Sequence, residues 1–152
     1  MKEFECDKRS KRIVARTLEK LYNASGSKLI VDLQEDNPTA GIDIYMTAIT
    51  KGNISTAAIE VKERPNSAST DEETWIVEEG KERKLRAAQE QGYTPLYCYL
   101  FGDGVMAIWN INTWDKQYIG EFWVKPHTVL DEPRRKMTKY GVTLNTAKVY
   151  KV

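Results

Sequence analysis

Asp43, within Gly41-Ile42-Asp43-Ile44, and the pair Glu60 and Lys62, within Ile59-Glu60-Val61-Lys62, are the residues whose types and spacing suit chemistry. Side chains alternate faces along an extended strand, so Glu60 and Lys62 share one side with Ala58 while Ala57, Ile59 and Val61 share the other. The same alternation sets Asp43 opposite Ile42 and Ile44. Lys51-Gly52-Asn53 separates the two stretches as a hairpin turn. Folding back about residue 51 or 52 brings Asp43 across from residues near 60, with neighbouring strands ~4.8 Å apart. Two carboxylates at that range repel unless a cation sits between them. A hard divalent ion, Mg²⁺ or Mn²⁺, takes such oxygen ligands, acidifies a water and offsets charge on a phosphorus. Lys62, ~7 Å further along the same side, offers an ammonium to a water or a phosphate oxygen. The reaction that fits best is phosphodiester hydrolysis.

The elements that must position these groups are read from periodicity. Ile13, Val14, Thr17, Leu18, Leu21 and Tyr22 recur at three- and four-residue spacing, which predicts a helix over 3–23 stopped by Gly26. Strands are expected at 28–33, 41–49 and 54–62. The polar loop 65–71 reads as slack chain, with a substrate-ordered segment as the alternative. A helix is expected near 71–91, where Thr70 and Glu73 have capping-box spacing and Gly92 ends the run. Residues 96–101 and 105–111 flank a Gly-Asp-Gly turn as a hairpin, and 117–124 form a further strand. Residues 126–140 read as irregular and basic, and 142–152 as a last edge strand. This order predicts one α/β domain over 1–152, a mixed β-sheet flanked by helices, with an additional C-terminal β-hairpin region.

A chain of 152 residues buries roughly two thirds of the surface its unfolded form exposes. With 23 basic and 22 acidic residues the overall charge favours no class of partner, so the distribution matters more. Lys8, Arg9, Lys11, Arg12 and Arg16 form one basic cluster, and Arg134, Arg135, Lys136 and Lys139 a second, while 71–82 is acidic. Two such clusters on a near-neutral chain suit a local phosphate-contact surface, with Lys8, Arg9, Lys11, Arg12, Arg134, Arg135 and Lys136 as its candidates. Cys6 and Cys98 follow no ligand spacing, which predicts reduced thiols and a cytoplasmic setting. The first residues are charged and no stretch reaches the ~20 apolar residues of a membrane span, so neither a signal peptide nor a membrane partner is expected. His127 stands alone as the single histidine. Trp109, Trp114, Phe122 and Trp123 are expected in core packing, with base stacking or a dimer contact as alternatives.

The succession GIDI then IEVK resembles the PD-(D/E)XK nuclease superfamily, over about residues 5 to 100. The resemblance implies a restriction-endonuclease-like fold and a metal-dependent nuclease acting on DNA. By it, Asp43 and Glu60 bind Mg²⁺ or Mn²⁺ together with the main-chain carbonyl of Val61, and Lys62 positions the attacking water. Relatives often add a Glu from the first helix, for which Glu19 is the first candidate and Glu5 the second. They also place a Lys or Gln from the helix after the motif toward the site, which makes Lys81, Lys84 and Gln89 candidates, Lys84 among the catalytic set. A domain of this size favours structure-selective cleavage of junctions or branched DNA, and resolving a four-way junction requires a homodimer with isologous contacts. The alternatives are a catalytically silent nucleic-acid-binding module on the same scaffold, a restriction-type endonuclease, and a protein whose charged strand is plain surface.

Overall fold

The computed structural model describes residues 2–34, 41–124 and 135–152, and the side chains of all of these except 2–7, 124 and 135. In chain order the elements are α1 (Lys2–Ala24), β1 (Lys28–Leu33), β2 (Ile44–Thr50), β3 (Asn53–Arg64), β4 (Trp75–Val77), α2 (Glu79–Glu90), β5 (Thr94–Phe101), β6 (Val105–Asn110), β7 (Gln117–Val124), β8 (Arg135–Val142) and β9 (Lys148–Lys151). Six strands form one sheet in the order β1-β2-β3-β5-β6-β9, and three form a second in the order β4-β8-β7. The large sheet is mixed: β3 and β5 run parallel, linked through α2, and its other neighbours are antiparallel. The chain is therefore an α/β protein with a helix on each face of its main sheet.

Each face has its own core. Val14 and Leu18 of α1 pack on Ile44, Met46, Ile59, Val61, Cys98 and Leu100. On the opposite face Leu85 and Ala88 of α2 cover Ala58, Tyr97, Tyr99, Phe101 and Trp109. Tyr97 to Phe101 are buried without interruption, as a central strand covered on both sides requires. Trp109 reaches the carbonyl of Thr143 with its indole N–H at 2.9 Å.

Lys51 and Gly52 both take positive φ, 49° and 81°, the geometry of a two-residue hairpin turn whose twist matches the strands it joins. That turn fixes the register from Thr50 opposite Asn53 to Ile44 opposite Ile59. One step further brings Asp43 against Glu60. Asp43 itself lies in the bend before β2, where its carbonyl accepts the amide of Gln34 at 3.0 Å. The strand expected over 41–49 thus begins at Ile44, and Ile42 packs with the α2-side core instead of joining Ile44 and Met46.

Other expectations change as well. The helix expected from residue 71 starts at Glu79, because Trp75-Ile76-Val77 pairs with β8 as a strand and buries Trp75 and Val77. Thr70 and Glu73 therefore cap nothing. Residues 135–140, read as irregular, belong to β8; residues 125–134, with His127 and Arg134, lie outside the described residues. The loop 65–71 is not slack: Gly102 donates its amide to the carbonyls of Arg64 and Ser67, both at 2.9 Å, and Ser69 donates from its amide and hydroxyl to Asp103. The C-terminal strand expected over 142–152 is confined to β9, paired with β6, since Val142 ends β8 and Leu144–Thr146 form a short 3-10 helix.

A Cβ added at Gly102 would overlap the carbonyl oxygen of Pro65, whereas one added at Gly80 would meet nothing within 4 Å. Gly102→Ala is expected to destabilise the fold by about 1–3 kcal/mol in chemical denaturation. Gly80→Ala, in α2, is expected to leave stability unchanged or raise it by about 0.5 kcal/mol. Equal midpoints for the two variants would contradict this packing.

Candidate functional site

Glu60 lies on the α2 side of β3, in the most buried part of the sheet, and only 2% of it is exposed. A carboxylate there is costly to desolvate without a partner of opposite charge. The partner comes from the first turns of α2: Lys81 Nζ donates to Glu60 Oε2 at 2.9 Å. The same ammonium is 3.9 Å from Asp43 Oδ2, so it stands between the two acids. Asp43 is fixed from two further directions. Its Oδ2 accepts the amide of Val61 at 2.8 Å, and Lys11, buried on α1, brings its Nζ to 3.3 Å from Oδ1. Two residues beyond Glu60, Lys62 forms an ion pair with Glu78, the residue just before α2. The site opens toward this end, from the enclosed Glu60 to the Glu78 side chain, which is 38% exposed.

The electrostatics follow from that enclosure. Burial pushes Glu60 up to about 7, the negative charge of Asp43 adds to the effect, and Lys81 only partly opposes it. Burial works on Lys81 in the downward direction, but Glu60 and Asp43 outweigh it and the net shift is upward. The α2-side floor is aromatic: the hydroxyl of Tyr97 accepts the amide of Glu78 at 3.4 Å, and that of Tyr99 donates to the carbonyl of Ile76. Burial raises both tyrosines, so both hydroxyls stay neutral.

The structure brings together Asp43, Glu60 and Val61, with Lys62 alongside. Of the helix candidates, Lys81 enters the cluster. Lys84 is exposed one turn later, near enough for its charge to bear on Glu60, and Gln89 lies about two turns from Lys81. Glu19 is exposed on α1, roughly 12 Å along the axis from Lys11, and does not join the acids; Lys11 is the residue that α1 contributes. The side chain of Glu5 lies outside the described residues. Lys11 was expected on a phosphate-contacting face, and burial beside Asp43 makes it an internal ion partner instead. Arg9 and Arg12 are exposed on α1 and Lys8 is half-buried. In the second basic cluster Lys136 is exposed on β8, Arg135 is placed there by its backbone alone, and Arg134 lies outside the described residues.

Glu78 is the member of this cluster that sequence reading missed. It was lost in an acidic run, and only its position immediately before the true helix start singles it out. Among the described residues no group of three or more His, Cys, Asp or Glu side chains converges as a metal cradle, and no helix is long and apolar enough to cross a membrane. The acids are a pair, and the cation between them is a lysine.

Comparison with protein families, with curated proteins and with solved structures finds no match for this chain. What fold and site define is an α/β protein with a carboxylate pair at its main sheet, Glu60 buried and Asp43 half-buried, neutralised by lysines from both helices.

A carboxyl whose folded pKa is raised loses stability as pH climbs, because the unfolded chain gives up its proton first. For Glu60 the window runs from about 4.5 to about 7. In chelator, the melting midpoint of Glu60→Gln minus that of the unaltered chain is expected to grow across this window, by on the order of 5 °C. A difference that stays constant with pH would show that Glu60 is not raised.

Proposed function

We propose that this chain is a divalent-metal-dependent nuclease of the PD-(D/E)XK type, hydrolysing DNA phosphodiester bonds on a restriction-endonuclease-like version of its α/β fold. The observation that carries the proposal is the convergence of Asp43 and Glu60 on one ammonium, with Lys62 two residues along the same strand. The donor set fits Mg²⁺ or Mn²⁺: two carboxylates and the Val61 carbonyl are hard oxygen ligands, and Glu60 is raised by burial and by Asp43, a condition that added positive charge relieves. A bound ion would supply Lewis acidity to a water and to the scissile phosphate.

The chain's own residues prepare the rest. The Val61 amide and Lys11 hold Asp43 in orientation. Glu78 holds Lys62 at the open end of the site, where its ammonium can position a water against a phosphorus. The aromatic floor of Tyr97 and Tyr99 keeps water out from below. A domain this small suits structure-selective cutting of junctions or branched DNA, and a homodimer would supply paired cuts.

A catalytically silent nucleic-acid-binding module is the second reading. Lys81 favours it, because a lysine between the acids neutralises them without any ion.

Supercoiled plasmid, linear duplex and a synthetic four-way junction, each with Mg²⁺, Mn²⁺ or chelator, separate the two. The nuclease reading expects cleavage that needs the ion and falls at least ~100-fold in Glu60→Ala and in Lys62→Ala. Cleavage that survives either substitution refutes the assignment, and binding without cleavage under every ion supports the silent module.

A further inference from the structure

The β7–β8 hairpin extends beyond what anchors it. β4 pairs only with Tyr140 to Val142, whereas β7 follows β8 from Gly141 to Arg135. Over 120–124 and 135–139 the hairpin is thus a two-stranded ribbon with no third strand among the described residues. Such ribbons are marginal in water and usually bury a face. This one instead presents rings to solvent: Trp123 is 62% exposed and Phe122 40%.

The rings are interleaved with ammonium groups. Trp123 sits directly across from Lys136, whose Nζ lies 5.6 Å from the indole centroid, and Lys139 lies 4.0 Å from the Phe122 centroid. Alternation along the strands puts Trp123 and Lys136 on one face and Phe122 and Lys139 on the other. Glu121, whose carboxylate lies 3.5 Å from Lys136 Nζ in an exposed ion pair that a phosphate would displace, is the sole acid in 117–124 and 135–142, against Arg135, Lys136 and Lys139. A second copy of the ribbon would bring like charge against like. An acidic peptide would answer the ammonium groups but offer nothing flat to the rings. Unpaired bases joined by phosphates answer both, because bases stack on aromatic faces while lysines take the backbone.

The ribbon is also fixed to the site. Val77, paired with Tyr140, is followed directly by Glu78, the partner of Lys62. Lys116, just before β7, bonds Glu82 of α2 at 2.9 Å and lies 4.6 Å from the Tyr140 ring centroid. We propose that the β7–β8 ribbon binds a single-stranded segment of nucleic acid that passes around its outer β7 edge, Trp123 taking a base and Lys136 a phosphate on one face, and Phe122 and Lys139 doing the same on the other. Its biological sense rests on the nuclease reading, but its test reads binding alone.

The test is fluorescence anisotropy of a labelled oligothymidine of about 20 nucleotides, and of a duplex of the same length, with the full chain in chelator. Expected is tighter binding of the single strand than of the duplex. Trp123→Ala and Phe122→Ala should each weaken the single strand by roughly 5- to 100-fold, with Trp123→Phe restoring most of the loss. Lys136→Gln and Lys139→Gln should each reduce the slope of log affinity against log salt by about 0.7. Circular dichroism and melting midpoints matching the unaltered chain confirm that these substitutions leave the fold intact. The proposal is overturned by alanine variants that bind as the unaltered chain does, by a preference for duplex, by no binding, or by a dimer that Trp123→Ala dissociates. Ribbon-dependent binding with no cleavage in Mg²⁺ or Mn²⁺ supports the ribbon site and refutes only the nuclease; cleavage with ribbon-independent binding does the reverse.

Discussion

Two carboxylates on the same part of a sheet repel, and the chain meets that repulsion with ammonium groups delivered from opposite faces. Lys11 reaches Asp43 from α1, and Lys81 reaches both Asp43 and Glu60 from α2. Neither helix can do so unless it is docked: α1 through Val14 and Leu18, α2 through Leu85 and Ala88. The charge arrangement therefore depends on the whole hydrophobic core, and the core in turn tolerates a buried Glu60 only because Lys81 is there. Breaking either half leaves the other uncompensated.

The second sheet extends this coupling. Asp115 accepts the amide of Thr143 at 2.9 Å and the hydroxyl of Thr146 at 3.0 Å, tying the start of β7 to the segment that follows β8. β4 is only three residues long, yet it is sewn to β8 on one side and runs directly into Glu78 and α2 on the other. Since α2 carries Lys81, the small sheet helps set where that ammonium stands. A single short strand thus joins hairpin, helix and acids.

What could be read from the sequence was what local chemistry decides. The Lys51-Gly52 turn and the alternation of Ala57 to Val61 are enough to set the register that brings Asp43 toward Glu60, and both are properties of a few neighbouring residues. The β5–β6 hairpin was legible for the same reason. What escaped depends on distant partners. Trp75-Ile76-Val77 sits inside a run with capping-box spacing and becomes a strand only because β8 is beside it. Arg135 to Val142 alternates weakly and is basic, so its strand character comes from pairing with β7. Lys11 looks like any residue of a basic helix face until tertiary packing turns it inward. Lys81 and Lys84 are equivalent in sequence, and only the true start of α2 decides between them.

Cys98 lies in the middle of β5, fully enclosed beneath the α1-side core, and burial drives its thiol far above the range in which it would ionise. A sulfhydryl in that place is inert to alkylating reagents for as long as the central strand keeps its neighbours. With Cys6 changed to serine, the rate of labelling would become an intrinsic clock for opening of the protein's interior, reporting on the same strands that carry the acid pair without any foreign probe.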